Sequence, residues 1–164
     1  MMNKTDDKIW NKFFVFIIIL FMVLSFVGII DSVFLTVEHF KGNPALCLLV
    51  EGCDIVLTSQ YSVILGIPVP ILGFLYYFSI FCFAVFSFVK RKEIVLKYLS
   101  VFSIVGFLMS IWFVYLQIFV IKALCTYCLL STFLSVSLLI FGIIFFVNFR
   151  KRNDGIEKIQ GTKE

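Results

Sequence analysis

Charge is what this sequence has least of. Only 15% of its 164 residues are Asp, Glu, Lys or Arg, against about 25% in a typical soluble domain. Histidine is nearly missing, with one copy, His39. There is no long linker, internal repeat or low-complexity tract, and only one CxxC, Cys125-Thr-Tyr-Cys128. Each shortage excludes something. With 62% hydrophobic residues, the chain has more apolar surface than a domain of one-domain length can bury in itself, so lipid must cover the excess. The net charge of +4 gives no basis for a nucleic-acid partner. The missing histidines and second CxxC weigh against a zinc site, although four thiolates could form one. Phe, with 22 copies, reads as lipid-facing filler.

What is present are long apolar runs. A helix crossing the hydrocarbon needs about 20 apolar residues, and four stretches qualify. Phe13 to Leu35 carries one charge, Asp31, near its end; Pro68 to Val89, Tyr98 to Ile121 and Ala123 to Phe149 carry none. A fifth piece, Ile55 to Gly66, is too short and too polar to span, with Thr58, Ser59, Gln60 and Ser62 in it. It is expected to form a short helix across one mouth of the bundle. Gly66 supplies a turn and Pro68 suits the first turn of the second span. The first apolar run exceeds a typical signal-peptide core and lacks a small-residue cleavage site. The fold class expected is an all-α integral membrane protein, a four-transmembrane-helix bundle with a short interfacial helix in the first outer loop. Residues 1–12 form the N-terminus, 13–149 the membrane domain with outer loop 36–67, and 150–164 a polar, mobile tail.

Basic residues set the orientation. All but two of the 14 lie at the N-terminus (Lys4, Lys8, Lys12), between spans two and three (Lys90, Arg91, Lys92, Lys97) or in the tail (Arg150, Lys151, Arg152, Lys158, Lys163). The exceptions are Lys41 and Lys122. Both termini are therefore expected in the cytoplasm, with 36–67 and the short connection at Lys122 facing out.

That topology sorts the cysteines. Cys47 and Cys53 fall in the outer loop, and Cys125 and Cys128 open the fourth span at the same face. Cys82 lies about 21 Å along the second span, at 1.5 Å per residue, too deep to reach the others, and reads as a small buried apolar side chain. Disulfides are permitted on the oxidising side of a membrane. Structural bridges remain one reading and a four-thiolate zinc site another. Redox exchange is favoured, because a bridge closing a CxxC loop removes little chain entropy. A helix N-terminus and Lys122 also favour a thiolate there, with Cys125 expected as the more acidic thiol. Two pairs at a bundle mouth suit a relay from soluble thiols to a lipid-dissolved two-electron acceptor, a quinone. Asp31 is expected to bond loop backbone near the mouth, and His39 to act as a polar anchor at the interface.

Four segments carry a resemblance. They are DSVFLTVEHF at 31–40, Cys47-x5-Cys53-x5-Ser59, YSVILGIPVPILGFLYY at 61–77 and YLQIFVIKALCTYCLLS at 115–131. In that order, the chain resembles the vitamin K epoxide reductase family in its bacterial thiol-oxidising form. Convergent DsbB-type proteins carry their CxxC in the first outer loop and the spaced pair in the second, the reverse of the order here.

The resemblance implies roles. Cys128 would lie at the quinone and Cys125 would exchange with the loop. Cys53 would pair with Cys125, and Cys47 would face the soluble partner. Ser59 matches the family's hydroxyl beside the pocket, where it could hydrogen-bond a quinone oxygen or a thiolate; Leu57, Val69 and Thr132 fall near pocket-lining positions. Animal members place Asn near Val69 and Tyr near Thr132. Their lack here favours plain quinone reduction over epoxide reduction. The implied function is a thiol:quinone oxidoreductase of the cell membrane that supports disulfide bond formation. It would use a ubiquinone- or menaquinone-type acceptor and no metal, and would serve a separate DsbA-like oxidase of thioredoxin fold. A vitamin K epoxide reductase proper and a non-enzymatic scaffold with structural disulfides or zinc are the alternatives.

Overall fold

A computed structural model of the chain describes residues 4–41, 53–64, 66–90 and 93–161. Among these residues there are five α-helices: α1 (Lys4–Lys41), α2 (Cys53–Thr58), α3 (Val69–Lys90), α4 (Glu93–Tyr115) and α5 (Thr126–Gly161). A π-helical turn, Leu116–Ile121, continues α4. Four helical stretches are long and apolar enough to cross a membrane: Trp10–Phe40, Val69–Lys90, Ile94–Ile121 and Thr126–Asn153. The chain is thus a multi-pass, all-α membrane protein. In the bundle α1 packs on α3 and α5, and α4 packs on α3 and α5, so the four helices close a ring.

Several hydroxyls inside the spans are satisfied locally. Ser25 donates to the Phe21 carbonyl at 2.6 Å, Thr36 to Ser32 at 2.7 Å, and Ser100 to Leu96 at 2.8 Å. Each of these hydroxyls bonds one turn back, so its donor is not left to hydrocarbon. The main core is built from all four long helices, with Phe21, Ile80, Leu99 and Leu138 among its buried members. At the basic end Arg152 lies 4.9 Å over the Trp10 ring and Lys97 5.9 Å over Phe146. These contacts let the cations stay near water while their stems cover apolar surface. Gly28 decides how closely α1 meets α3, since a Cβ there would fall 2.5 Å from Cδ1 of Tyr77.

Several sequence expectations are revised. The first span is longer than Phe13–Leu35, because the helix persists into the flanking polar residues at both ends. The third span starts earlier and ends in the π turn; the fourth starts at Thr126 instead of Ala123. The tail continues α5 to Gly161, with no proline to stop it. The segment Ile55–Gly66 is not one helix. α2 ends at Thr58, and Ser59 is extended at φ −65°, ψ 155°. A 3-10 turn (Gln60–Ser62) leads into a two-stranded hairpin, β1 (Val63–Ile64) with β2 (Ile67–Pro68), in antiparallel register Val63 to Pro68 and Ile64 to Ile67. Gly66 turns the hairpin at φ +82°, a conformation glycine reaches without strain. Pro68 consequently belongs to β2, and Pro70 occupies the first turn of α3.

Candidate thiol site and its cavity

The end of the bundle opposite the basic cluster holds the candidate site. α4 and α5 are joined there by only four residues, 122–125. Cys125 is the last of them, immediately before the first helical residue of α5. It is fully buried and clusters with Leu35 of α1 and Leu57 of α2. Cys128, one turn on, is partly buried and packs against the same cluster. The Cys128 N–H points at Cys125 Sγ from 3.3 Å. A backbone donor at a helix N-terminus thus faces the sulfur, an arrangement that favours a thiolate there. Tyr127, between the two, lies 4.8 Å ring to ring from Phe34 of α1.

Beside the pair is a cavity of about 440 Å³, within the roughly 300–1,000 Å³ usual for small-molecule sites. Leu57, Ser59, Val69, Cys128 and Thr132 all line it, so the structure brings together every pocket position read from the sequence. Cys125 is not part of its wall; it sits behind Cys128. The hydroxyls are already engaged. Thr132 donates to the Cys128 carbonyl at 3.0 Å and Ser59 to the Val56 carbonyl at 2.8 Å. Each hydroxyl oxygen keeps lone pairs for accepting, and would have to rotate to donate to a ligand oxygen.

α2 forms part of the cavity wall through Val56 and Leu57. Its Leu57 carbonyl lies 3.1 Å from His39 Nδ1 on α1, which ties α2 to α1. α2 also packs on the π turn, so the helix that Cys53 begins lies against the Cys125 end of the bundle. The Cys53 side chain and all of Cys47 lie outside the described residues.

Two expectations fail. Asp31 is 5% exposed and neither carboxylate oxygen has a hydrogen-bond partner among the described residues, so the expected bond to loop backbone is not made there. Cys82 is exposed on the outer surface of α3, because its position on the helix turns it towards lipid instead of the core.

Sequence reasoning also missed residues. Tyr77 donates its O–H to the Ser131 carbonyl at 2.8 Å and lies 2.9 Å and 3.1 Å from the Ser131 and Ser135 hydroxyls, tying α3 to the cavity wall of α5. Gln117, 2% exposed, places Oε1 3.0 Å from the Cys125 N–H. A polar side chain inside an otherwise charge-free span was the signal available for it. No three His, Cys, Asp or Glu side chains gather as a metal site among the described residues.

Fold and site together define a membrane-embedded helical bundle with a CxxC beside an apolar cavity. The chain belongs to the vitamin K epoxide reductase family, whose sequence profile matches residues 19–143. It is also similar to the thiol-disulfide oxidoreductase LTO1 of Arabidopsis thaliana, 30% identical over 126 residues that cover 70% of this chain and 32% of that protein. The chain therefore spans about a third of that relative's length. Family and relative support a thiol-oxidoreductase role.

Proposed function

We propose that this protein is a membrane thiol:quinone oxidoreductase that reoxidises an extracytoplasmic thioredoxin-fold, DsbA-like protein and so sustains disulfide formation. The observation that carries the reading is the placement of Cys128 in the wall of an apolar cavity with Cys125 directly behind it. The donor set fits a quinone headgroup: apolar walls at Leu57 and Val69 for the ring, and hydroxyls at Ser59 and Thr132 near its rim. A bound quinone supplies a two-electron, two-proton acceptor.

The protein's own residues do the rest. A thiolate of the reduced partner attacks Cys47 of a Cys47–Cys53 disulfide, and the partner's second thiol resolves the mixed disulfide. The partner leaves oxidised and the loop pair is left as a dithiol. Cys53 then attacks Cys125 of a Cys125–Cys128 disulfide, expelling Cys128 as a thiolate at the cavity. Cys47 resolves this bond, so the loop disulfide is restored and the helix pair holds two electrons and two protons. Reoxidation of Cys125 and Cys128 passes these to the acceptor, giving quinol. The sidedness, with both termini in the cytoplasm, rests on the basic residues.

The test is quinone reduction by the purified protein with a reduced thioredoxin-fold partner or dithiothreitol as donor. Cys125→Ala and Cys128→Ala should abolish turnover with either donor. Cys47→Ala should lose turnover with the partner and keep it with dithiothreitol. Unchanged turnover in either helix-pair variant would refute the proposal, and full partner-driven turnover in Cys47→Ala would refute the loop assignment.

A further inference from the structure

We propose that Gln117 is the positioning residue for Cys125, holding the buried thiol in register for exchange from a single anchor that faces the cavity. The inference rests on the thiol-exchange reading above and extends it to a residue that reading does not use.

The physical problem is the connection 122–125. It reverses the chain between two spans in four residues, and Lys122 adopts a left-handed conformation at φ 56°, ψ 31° to do so. The connection also precedes a helix, whose first N–H groups have no partner within the helix. Buried donors without acceptors are expensive. One residue answers for three of the four N–H groups. The Gln117 backbone carbonyl accepts from Lys122 N–H and from Ala123 N–H at 3.2 Å, and its side-chain oxygen accepts from Cys125 N–H at 3.0 Å. The π turn makes this possible. Its wider winding leaves the Gln117 carbonyl facing residues further along the chain than an α-helix would. Gln117 also lines the cavity that Cys128 lines. The residue thus touches both the ligand space and the backbone of the thiol behind it.

The consequence for chemistry is geometric. Disulfide exchange needs the attacking sulfur in line with the bond it breaks, and closure of Cys125 on Cys128 needs both sulfurs held close. The Cys125 backbone is fixed through a hydrogen bond from its N–H, a group that the sulfur chemistry does not consume. Without it, the dithiol form gains freedom that the covalently closed form lacks, so the disulfide becomes easier to reduce.

The experiment uses full-length protein in detergent or nanodiscs, with Gln117→Leu, Gln117→Met and Gln117→Glu compared with the unaltered chain. The first readout is the Cys125–Cys128 thiol–disulfide equilibrium against dithiothreitol, followed by thiol trapping. The second is quinone reduction driven by dithiothreitol with a short-chain quinone. Gln117→Leu should make the disulfide about ten-fold easier to reduce, an upward shift of about 30 mV for a two-electron couple. It should lower kcat about ten-fold with quinone KM within about two-fold. Gln117→Glu keeps an acceptor oxygen in place and should restore both. If Gln117→Leu fails to fold, Gln117→Met, unbranched like Gln and lacking its amide oxygen, takes its place. An unshifted equilibrium in the acceptor-less variant, or an effect confined to KM, overturns the proposal, as does failure of Gln117→Glu to rescue. If the unaltered protein reduces no quinone, the functional reading fails by itself. The equilibrium readout needs no quinone and still decides the role of Gln117.

Discussion

Removing one oxygen at Tyr77 tests whether the cavity wall is held as described. Tyr77 is 1% exposed, its ring fills the space opened by Gly28, and its hydroxyl meets three oxygens of α5 at 2.8, 2.9 and 3.1 Å. Tyr77→Phe leaves the ring contact intact and removes only those bonds. Hydrogen bonds between membrane helices average about 0.6 kcal/mol and reach about 1.7 kcal/mol. The two serines can turn back to their own helix carbonyls, which recovers part of the loss. The net cost should be about 1–2 kcal/mol. Tyr77→Ala also empties the buried volume and should cost about 3–5 kcal/mol. Reversible unfolding in mixed detergent micelles measures both. A double-mutant cycle with Ser135→Ala isolates one bond, and its coupling should be about 0.5–1 kcal/mol. Zero coupling, or a Phe variant as stable as the unaltered protein, would refute the reasoning, since the hydroxyl would then not be what joins α3 to α5.

Other consequences are direct. Gly28→Ala puts a methyl group 2.5 Å from the Tyr77 ring and should destabilise the bundle by about 1–3 kcal/mol, seen as a lower unfolding midpoint in the same micelles. Thr132→Phe intrudes into the 440 Å³ cavity one turn from Cys128. In dithiothreitol-driven assays it should raise quinone KM by roughly 5- to 150-fold, the equivalent of about 1–3 kcal/mol of overpacking. Cys82→Ser changes a lipid-facing position of α3 and should leave dithiothreitol-driven turnover within about two-fold; a larger loss would place Cys82 in the chemistry.

The spans were legible because a run of about 20 apolar residues has one stable answer in lipid, a helix with its backbone bonded to itself. Their ends were less so. α1, α4 and α5 run beyond the apolar stretches, since hydrophobicity marks where lipid begins and helical bonding does not stop there. The segment 55–66 was misread as one helix because its turns depend on Ser59 leaving helical geometry and on the pairing of Val63–Ile64 with Ile67–Pro68, contacts that no residue type encodes alone. Cys82 was assigned the wrong azimuth, for counting residues gives a position along the helix while azimuth follows from which neighbour the helix chooses.

Composition and order by themselves determined four membrane helices, the end of the bundle that holds Cys125 and Cys128, the CxxC at the start of α5 and the family resemblance. These follow from local quantities: apolar length, the placement of basic residues and fixed spacings along one chain. Only the tertiary structure decided that Leu57, Ser59, Val69, Cys128 and Thr132 share one cavity wall, that Cys125 lies behind that wall, and that Gln117 and Tyr77 hold it. Those residues come from several elements, and their meeting is set by how α1, α3, α4 and α5 rotate against one another. That rotation is fixed by side-chain packing across helices, such as Tyr77 against Gly28, and no stretch of sequence read alone contains both partners of such a contact.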